Sequence, residues 1–159
     1  MAFSRRLEIS LTLTLAIQFA SLSGFSPIIT TVSTRNVDFV TGLGATHALD
    51  RSQDAAALTA SIRSIVAEKT LRYVLDAVSV PETQNLGYKI LADAVGGTLM
   101  IDLPSVIKEE DKVKGKKVEI LNPLLYTHPV FVLDMYSHLE KLLEDGDLKV
   151  RVIRYVARR

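Results

Sequence analysis

Few side chains in this sequence are spaced for bond-making chemistry, but one group is suited to holding an anion. Ser33, Arg35 and Asn36 bring a hydroxyl, a guanidinium and a carboxamide into one short stretch, and no acid occurs between Pro27 and Val37. The same residues also suit a plainer use, with Ser33 as a helix cap and Arg35 as a solvated first-turn residue. The three histidines are scattered. His47 falls in a strand, His128 precedes Pro129 in a loop, and His138 sits on a helix, with no His-x-x-x-His spacing and no partner nucleophile. Asp134 and His138 are four apart on one helix face, the spacing of a surface pair. Asp76 and Asp102 are strand-borne and read as hydrogen-bonded strand-end residues rather than general bases. No catalytic residue and no metal-ligand set is expected.

Composition narrows the classes further. At 159 residues, 48% hydrophobic, the chain is long enough for one domain with its own core and too short for two. Nineteen basic residues against 18 acids leave a net charge of +1, which supplies no field for nucleic acid or an anionic membrane. Lys112, Lys114, Lys116 and Lys117 are interleaved with acids and are expected in a solvated loop. With no cysteine there is neither a disulfide nor a cysteine-ligated metal, which fits a cytoplasmic protein. Arg5-Arg6 before a Leu/Ile-rich run has the outline of a secretory signal, but Glu8 and Gln18 interrupt its apolar core. No run reaches the roughly 18 residues of a membrane span.

The elements that must position these side chains alternate between helix and strand. Gly24 ends a first helix. Pro27 to Val32 is a short β-branched run, read as a buried parallel strand, and Ser33 or Thr34 caps a helix carrying Val37, Val40 and Leu43, with Gly44 at the residue needing positive φ. Ala45 to Asp50 is the next strand. Ser52 or Asp54 then caps a helix to about Glu68 with Leu58, Ile62 and Ile65 on one face, and Tyr73 to Ala77 is a strand. Ser79-Val80-Pro81-Glu82 has the pattern of a capping box, opening a helix to about Leu91. Thr98 to Leu103 is a strand, Pro104 to Lys117 a polar loop, and Val118 to Leu121 a short strand. Asn122 to Pro129 is irregular, a helix follows from about Phe131 to Glu144, and Leu148 to Tyr155 is a possible last strand.

Short connections between alternating strands and helices imply a parallel sheet flanked by helices. Residues 1–15 do not fit this pattern. Leu7, Ile9, Leu11, Leu13 and Leu15 alternate with polar residues at a period of two, yet helix follows with no turn residue between. Either one helix runs back from Ser23 to about Arg5, or a strand passes straight into a short helix.

Six segments in order carry a family resemblance: AIQFASLSG, PIITTVS, LGATHALD, YVLDAVS, GGTLMIDLP and LLEDGDLK. They resemble the nucleotide-binding domain of the medium-chain dehydrogenase/reductase superfamily, in particular its zinc-independent enoyl reductase and quinone oxidoreductase branch and the fungal trans-acting enoyl reductases. The resemblance covers about Ala16 to Lys149. It implies a Rossmann-like three-layer α/β sandwich with a mostly parallel sheet, nominally ordered 3-2-1-4-5-6, and NADP-dependent hydride transfer to an enoyl or related conjugated carbonyl.

By the resemblance, the chain carries one end of the coenzyme cradle better than the other. Ser33, Arg35 and Asn36 follow the second strand, where a hydroxyl and a base suit a ribose 2′-phosphate and an acid would suit the unphosphorylated ribose. Arg51, after the third strand, stands where relatives often carry a tyrosine facing that phosphate. Ser79, Leu103 and Pro104 follow the fourth and fifth strands, where the nicotinamide half is expected. The glycine-rich turn should fall at about Leu7 to Leu13, but the sequence there is LEISLTL and the first glycine is Gly24. The first strand is therefore expected to be absent or replaced, residues 1–15 forming a divergent segment that extends the helix and 16–159 a Rossmann-like nucleotide-binding domain truncated at both ends. Relatives also carry an N-terminal β-rich domain that closes the substrate cleft. Without it the chain reads as a remnant with weakened or lost NADP binding and no turnover unaided. A homo- or hetero-dimer through the sixth-strand edge, using Val118 to Leu121 and Phe131 to Leu143, is the partner expected. Pairing with a full-length homologue as a non-catalytic association module is the alternative.

Overall fold

The structure is a computed structural model that describes residues 11–67, 69–91, 96–121 and 129–150. The extension of the first helix back to about Arg5, His128 and the segment from 151 onward lie outside these residues.

The first described element, α1 (Leu11–Leu22), resolves part of the ambiguity at the start of the chain: Leu11, Leu13 and Leu15 belong to a helix. Its buried face is Thr14, Ile17 and Gln18, an i, i+3, i+4 stripe that the period-two reading overlooks. Gln18 is tolerated there because its carboxamide pairs with backbone at Lys149, donating to the carbonyl at 3.0 Å and accepting from the amide at 2.6 Å. The helix stops as the sequence requires. Gly24 takes φ +74°, the Phe25 amide donates to Ala20 O and the Gly24 amide to Ser21 O, the two bonds of a Schellman cap.

Strand β1 (Ile29–Val32) follows a cis Ser26–Pro27 bond and pairs in parallel with β2 (His47–Asp50), Ile29 opposite His47 and Val32 opposite Asp50. Thr30 and Val32 are buried while Thr31 is exposed, so β1 is covered on one face and not on both as expected. Between them a 3-10 turn (Thr34–Asn36) leads into the short helix α2 (Val37–Thr41), and Gly44 has φ +110° with a virtual Cβ only 2.6 Å from Ser21 Cβ. A side chain there would strike α1. Helix α3 (Ala55–Val66) is capped by Asp54, whose carboxylate accepts from the Ala57 amide at 2.8 Å.

A second, three-stranded parallel sheet runs β3 (Tyr73–Asp76), β4 (Gly97–Ile101) and β5 (Lys116–Ile120), with α4 (Pro81–Ile90) packed against β3 and β4. Lys116 and Lys117 are strand residues and not loop as expected. The Lys116 ammonium lies 5.1 Å from the Tyr88 ring centroid and donates to Tyr88 O, while Lys117 projects to solvent from a sheet-edge strand. Leu103 lies beyond the end of β4, and the expected loop contains a 3-10 turn at Glu109–Asp111. Helix α5 (Pro129–Glu144) ends before Gly146 at φ +76°. Leu148 to Val150 form no strand.

The result is an α/β, Rossmann-like fold. The two sheets are the 3-2 and 4-5-6 pieces of the expected order, and no strand joins β1 to β3 among the described residues. Each sheet has its own apolar cluster. One comprises Ile17, Val32, Val40, Leu43 and Ala45, and the other Tyr88, Leu91, Leu99, Ile101 and Ile107. Phe25 and Tyr73 meet edge-to-face at 5.7 Å, which brings the amino ends of β1 and β3 together.

Candidate functional site

Parallel strands deliver the residues that follow them to one edge of each sheet, and that carboxyl edge is where open α/β folds hold ligands. At the end of the two-stranded sheet, the Arg51 amide donates to Val32 O at 3.0 Å, so Ser33 and Arg51 leave the sheet side by side. Ser33 precedes the 3-10 turn, and the Asn36 amide donates to its carbonyl at 2.8 Å. Its hydroxyl makes no capping bond, nor does Asn36 cap α2, so the plain capping reading of Ser33 fails. Arg35 and Arg51 are exposed.

The register also sets an acid here, Asp50, opposite Val32. Its carboxylate turns back to accept from the Ser52 amide at 2.9 Å. That backbone bond and then the Ser52 hydroxyl hold its pKa below the ordinary aspartate value, against an opposing effect of burial that outranks the further help of the Arg51 charge. Asp50 is thereby occupied within its own turn, next to Arg51.

The three-stranded sheet ends differently. Asp76 is buried, and one carboxylate oxygen accepts from the Val78 amide at 3.0 Å and the Ser79 amide at 2.9 Å, the other from the Thr83 hydroxyl at 2.7 Å. Ser79 does not cap α4; Val80 occupies that position, with Pro81 following in the first turn. Ser79 sits at φ +56°, 3% exposed, with its hydroxyl donating to Asp76 O at 2.6 Å and accepting from the Asp102 amide at 2.8 Å. The capping-box reading fails because this hydroxyl joins the ends of two neighbouring strands.

Sequence reasoning missed Gln84, which is fully buried and bonds Ser79 O, Pro104 O and the Val106 amide. The signal was available. Gln84 shares the buried stripe of α4 with Gly87, Tyr88 and Leu91, and a carboxamide on such a stripe must find partners. Above this polar clasp the same loops expose Val78, Val80, Leu103 and Val106, an apolar rim. Leu103 and Pro104 are both exposed in it.

The seven residues expected at a ligand site thus fall into two groups. Ser33, Arg35, Asn36 and Arg51 form a polar, cationic end; Ser79, Leu103 and Pro104 belong to an apolar end with a clasped backbone. A cavity of about 200 Å³ between α1, the end of α2 and the turn at Gly146–Lys149 includes none of them. Among the described residues no three His, Cys, Asp or Glu side chains gather as a metal would require. His138 Nδ1 lies 3.8 Å from an Asp134 carboxylate oxygen on the exposed face of α5, a surface pair.

Residues 14–117 match the family described as zinc-binding dehydrogenase, about two thirds of the chain. The chain belongs to this family. It is 29% identical over 158 residues to a trans-enoyl reductase of Gibberella zeae, covering 89% of this chain and 42% of that protein. It is 38% identical over 114 residues to a dual trans-enoyl reductase/FAD-dependent monooxygenase of Aspergillus terreus, covering 71% of this chain and 15% of that protein. The chain therefore spans less than half the length of these relatives. Among solved structures, the quinone oxidoreductase of Escherichia coli complexed with NADPH superposes with a TM-score of 0.69 at 20% identity, covering 88% of this chain and 44% of that one. Membership in the zinc-binding dehydrogenase family and the Rossmann-like fold agree with the resemblance read from the sequence. Zinc, despite the family's description, does not fit the described residues, which bring no ligand set together and include no cysteine. No helix among them is long and apolar enough to cross a membrane.

Proposed function

We propose that this chain is the NADP-binding portion of an enoyl-reductase-like oxidoreductase. One observation carries the reading: Ser33 and Arg51 leave adjacent parallel strands together, with Arg35 and Asn36 on the turn that follows. Two guanidiniums and a hydroxyl suit a ribose 2′-phosphate, and the acid in reach is turned onto its own backbone. The apolar rim of Val78, Leu103 and Val106 suits the flat nicotinamide ring.

NADPH, when bound, supplies the hydride for an enoyl or related conjugated carbonyl. The residues of this chain bind and orient it: Arg35 and Arg51 by charge, Ser79, Leu103 and Pro104 by backbone shape. With Leu11 to Leu13 already helical and the first glycine at Gly24, these residues offer no glycine approach to the pyrophosphate, so affinity is expected to be weak. Turnover requires the part of the relatives that this chain does not span, in the same polypeptide or from a partner. Titration with NADPH followed by its fluorescence tests the reading. Saturation below millimolar nucleotide supports it, and a linear response to millimolar rejects it.

Self-association is the second part of the proposal, favoured by an apolar stripe on α5. Val130 is 79% and Leu133 70% exposed, and Tyr136 and Leu143 continue the stripe. This stripe fits a second copy or a longer homologue, and β5, the outer strand of its sheet among the described residues, separately offers the exposed Ile120. Light scattering should give a dimer mass that L133R reduces to monomer; a monomer mass for the unaltered chain removes this part alone.

A further inference from the structure

Gln84 carries a function that the coenzyme reading leaves unassigned. Both polar ends of its side chain are used, and every partner is backbone in a carboxyl-edge loop. Nε2 donates to Ser79 O at 2.8 Å and to Pro104 O at 3.1 Å, and Oε1 accepts from the Val106 amide at 2.9 Å. The loop after β3 and the loop after β4 are thus tied to each other through one carboxamide. Ser79 adds a second tie through the Asp102 amide.

We propose, resting on the NADP reading above, that Gln84 is a positioning residue: it splints residues 77–80 to residues 102–106, so that the surface facing the nicotinamide half is held as one piece. The splint is anchored in a part of the molecule with little slack. On the same helix stripe, a Cβ on Gly87 would lie 2.9 Å from Leu99 Cδ1 and 3.2 Å from Val74 Cγ1, so α4 rests directly on β3 and β4. The splint also works against local backbone preference, since Ser79 is a non-glycine residue at φ +56°. Buried bonds from Gln84 and Asp76 on either side of Ser79 hold that conformation. Loops whose positions depend on a shared clasp open together when it fails.

An isosteric change separates this role from simple space-filling. Q84E keeps the acceptor for the Val106 amide and replaces the donating nitrogen by an oxygen that faces two carbonyls. Protonated, the new carboxyl returns one donor; ionised, it returns none, and burial against two carbonyl oxygens favours the protonated form. Asp76 at the end of β3, whose carboxylate accepts from the Ser79 amide, acts in the same direction, while Asp102, bonded to Ser79 through its backbone amide, and Glu82 on α4 are exposed.

The test uses the full chain and its Q84E and V40A variants, the last as a control that weakens the other apolar cluster. Amide hydrogen exchange and NADPH titration are followed from about pH 5 to pH 8, with exchange corrected for its intrinsic pH dependence. In Q84E, exchange at 77–80 and 102–107 should rise together by about tenfold across that range while β1 and β2 stay protected, and the NADPH Kd, taken as a ratio to that of the unaltered chain at the same pH so that ionisation of the 2′-phosphate cancels, should weaken in parallel. The unaltered chain and V40A should show neither change. Loops that respond separately, or Q84E loops without pH dependence, would overturn the splint. If the loops open as expected and the Kd stays constant, the positioning role falls while the NADP reading stands. If the unaltered chain binds no NADPH, the coenzyme reading and the positioning role fall together, and the exchange data still decide whether the two loops are joined. Should Q84E fail to fold, Q84M must loosen both loops together with no pH dependence.

Discussion

The two sheets end in opposite ways. The loops after β3 and β4 are clasped from beneath by buried side chains, with Asp76, Ser79, Thr83 and Gln84 spending their polar groups on one another and on backbone. The loops after β1 and β2 carry charge at the surface: Arg35 and Arg51 are exposed and Ser33 makes no cap. The difference follows the two halves of the proposed ligand. A flat, weakly polar ring gains from a fixed apolar surface, because few strong contacts exist to reshape a loose one. A dianionic phosphate finds its partners by charge and tolerates mobile ones. One chain thus builds one end by shape and the other by charge.

The comparison can be broken most forcefully at the core of the clasped half. Leu99 is fully buried beneath α4, and L99A should lower stability by about 2–5 kcal/mol in denaturant unfolding. A loss under about 1 kcal/mol would mean that this half is not closely packed. S79A removes two buried hydroxyl bonds and leaves the Asp102 amide without its acceptor. It should cost about 1–3 kcal/mol and raise hydrogen exchange in both loops. If S79A behaves like a surface substitution, the clasp is ornamental and the contrast between the halves disappears.

At the open end the expected effects are on binding. R35A or R51A should weaken NADPH about tenfold, or about 1.4 kcal/mol, and R51A should do so with unchanged unfolding; isothermal titration and urea melts on the same samples check both statements. The sheet of this half also carries a defect that the other lacks among the described residues. Thr30 Oγ is buried with no hydrogen-bond partner, so T30V should raise stability by about 1 kcal/mol. A destabilised T30V would show that the hydroxyl is bonded after all.

The smallest effect concerns Asp50. Its folded pKa lies below the ordinary 3.8, so the carboxylate contributes stability above that value and loses it as pH falls through the folded pKa. The acid melting curve of D50N should therefore be flatter than that of the unaltered chain below about pH 4, with the two parallel at neutral pH. Curves that stay parallel throughout would mean that the Ser52 amide does not hold the carboxylate in solution.

What was legible in the sequence was local. Gly24, Gly44 and Gly146 marked the ends of elements because each needs positive φ, Asp54 marked the start of α3, and the β-branched runs marked strands within a residue or two. The order of strands was legible through the family resemblance. Nothing local revealed the clasp, since Gln84 meets Pro104 and Val106 across some twenty residues and Ser79 meets Asp102 across 23. The Ser79–Glu82 spacing misled for the same reason: a hydroxyl three residues before an acid has the capping pattern, and only the neighbouring strand end shows a better partner. Lys116 and Lys117 have the charge of a loop, which masks a strand whose exposed edge tolerates it. Along α1 a period of two in leucines coincided with a helix whose buried face included Thr14 and Gln18, polar residues that periodicity counts discard.

The proposal that this chain keeps the phosphorylated-adenosine end of a coenzyme site is tested most directly without the coenzyme. Adenosine 2′,5′-bisphosphate and AMP differ by the one phosphate that Ser33, Arg35 and Arg51 are proposed to hold. Calorimetric titration should show the bisphosphate binding at least about tenfold more tightly than AMP, with the gap closed in the R35A/R51A double variant. Equal affinities in the unaltered chain, or no heat from either nucleotide, would contradict the account.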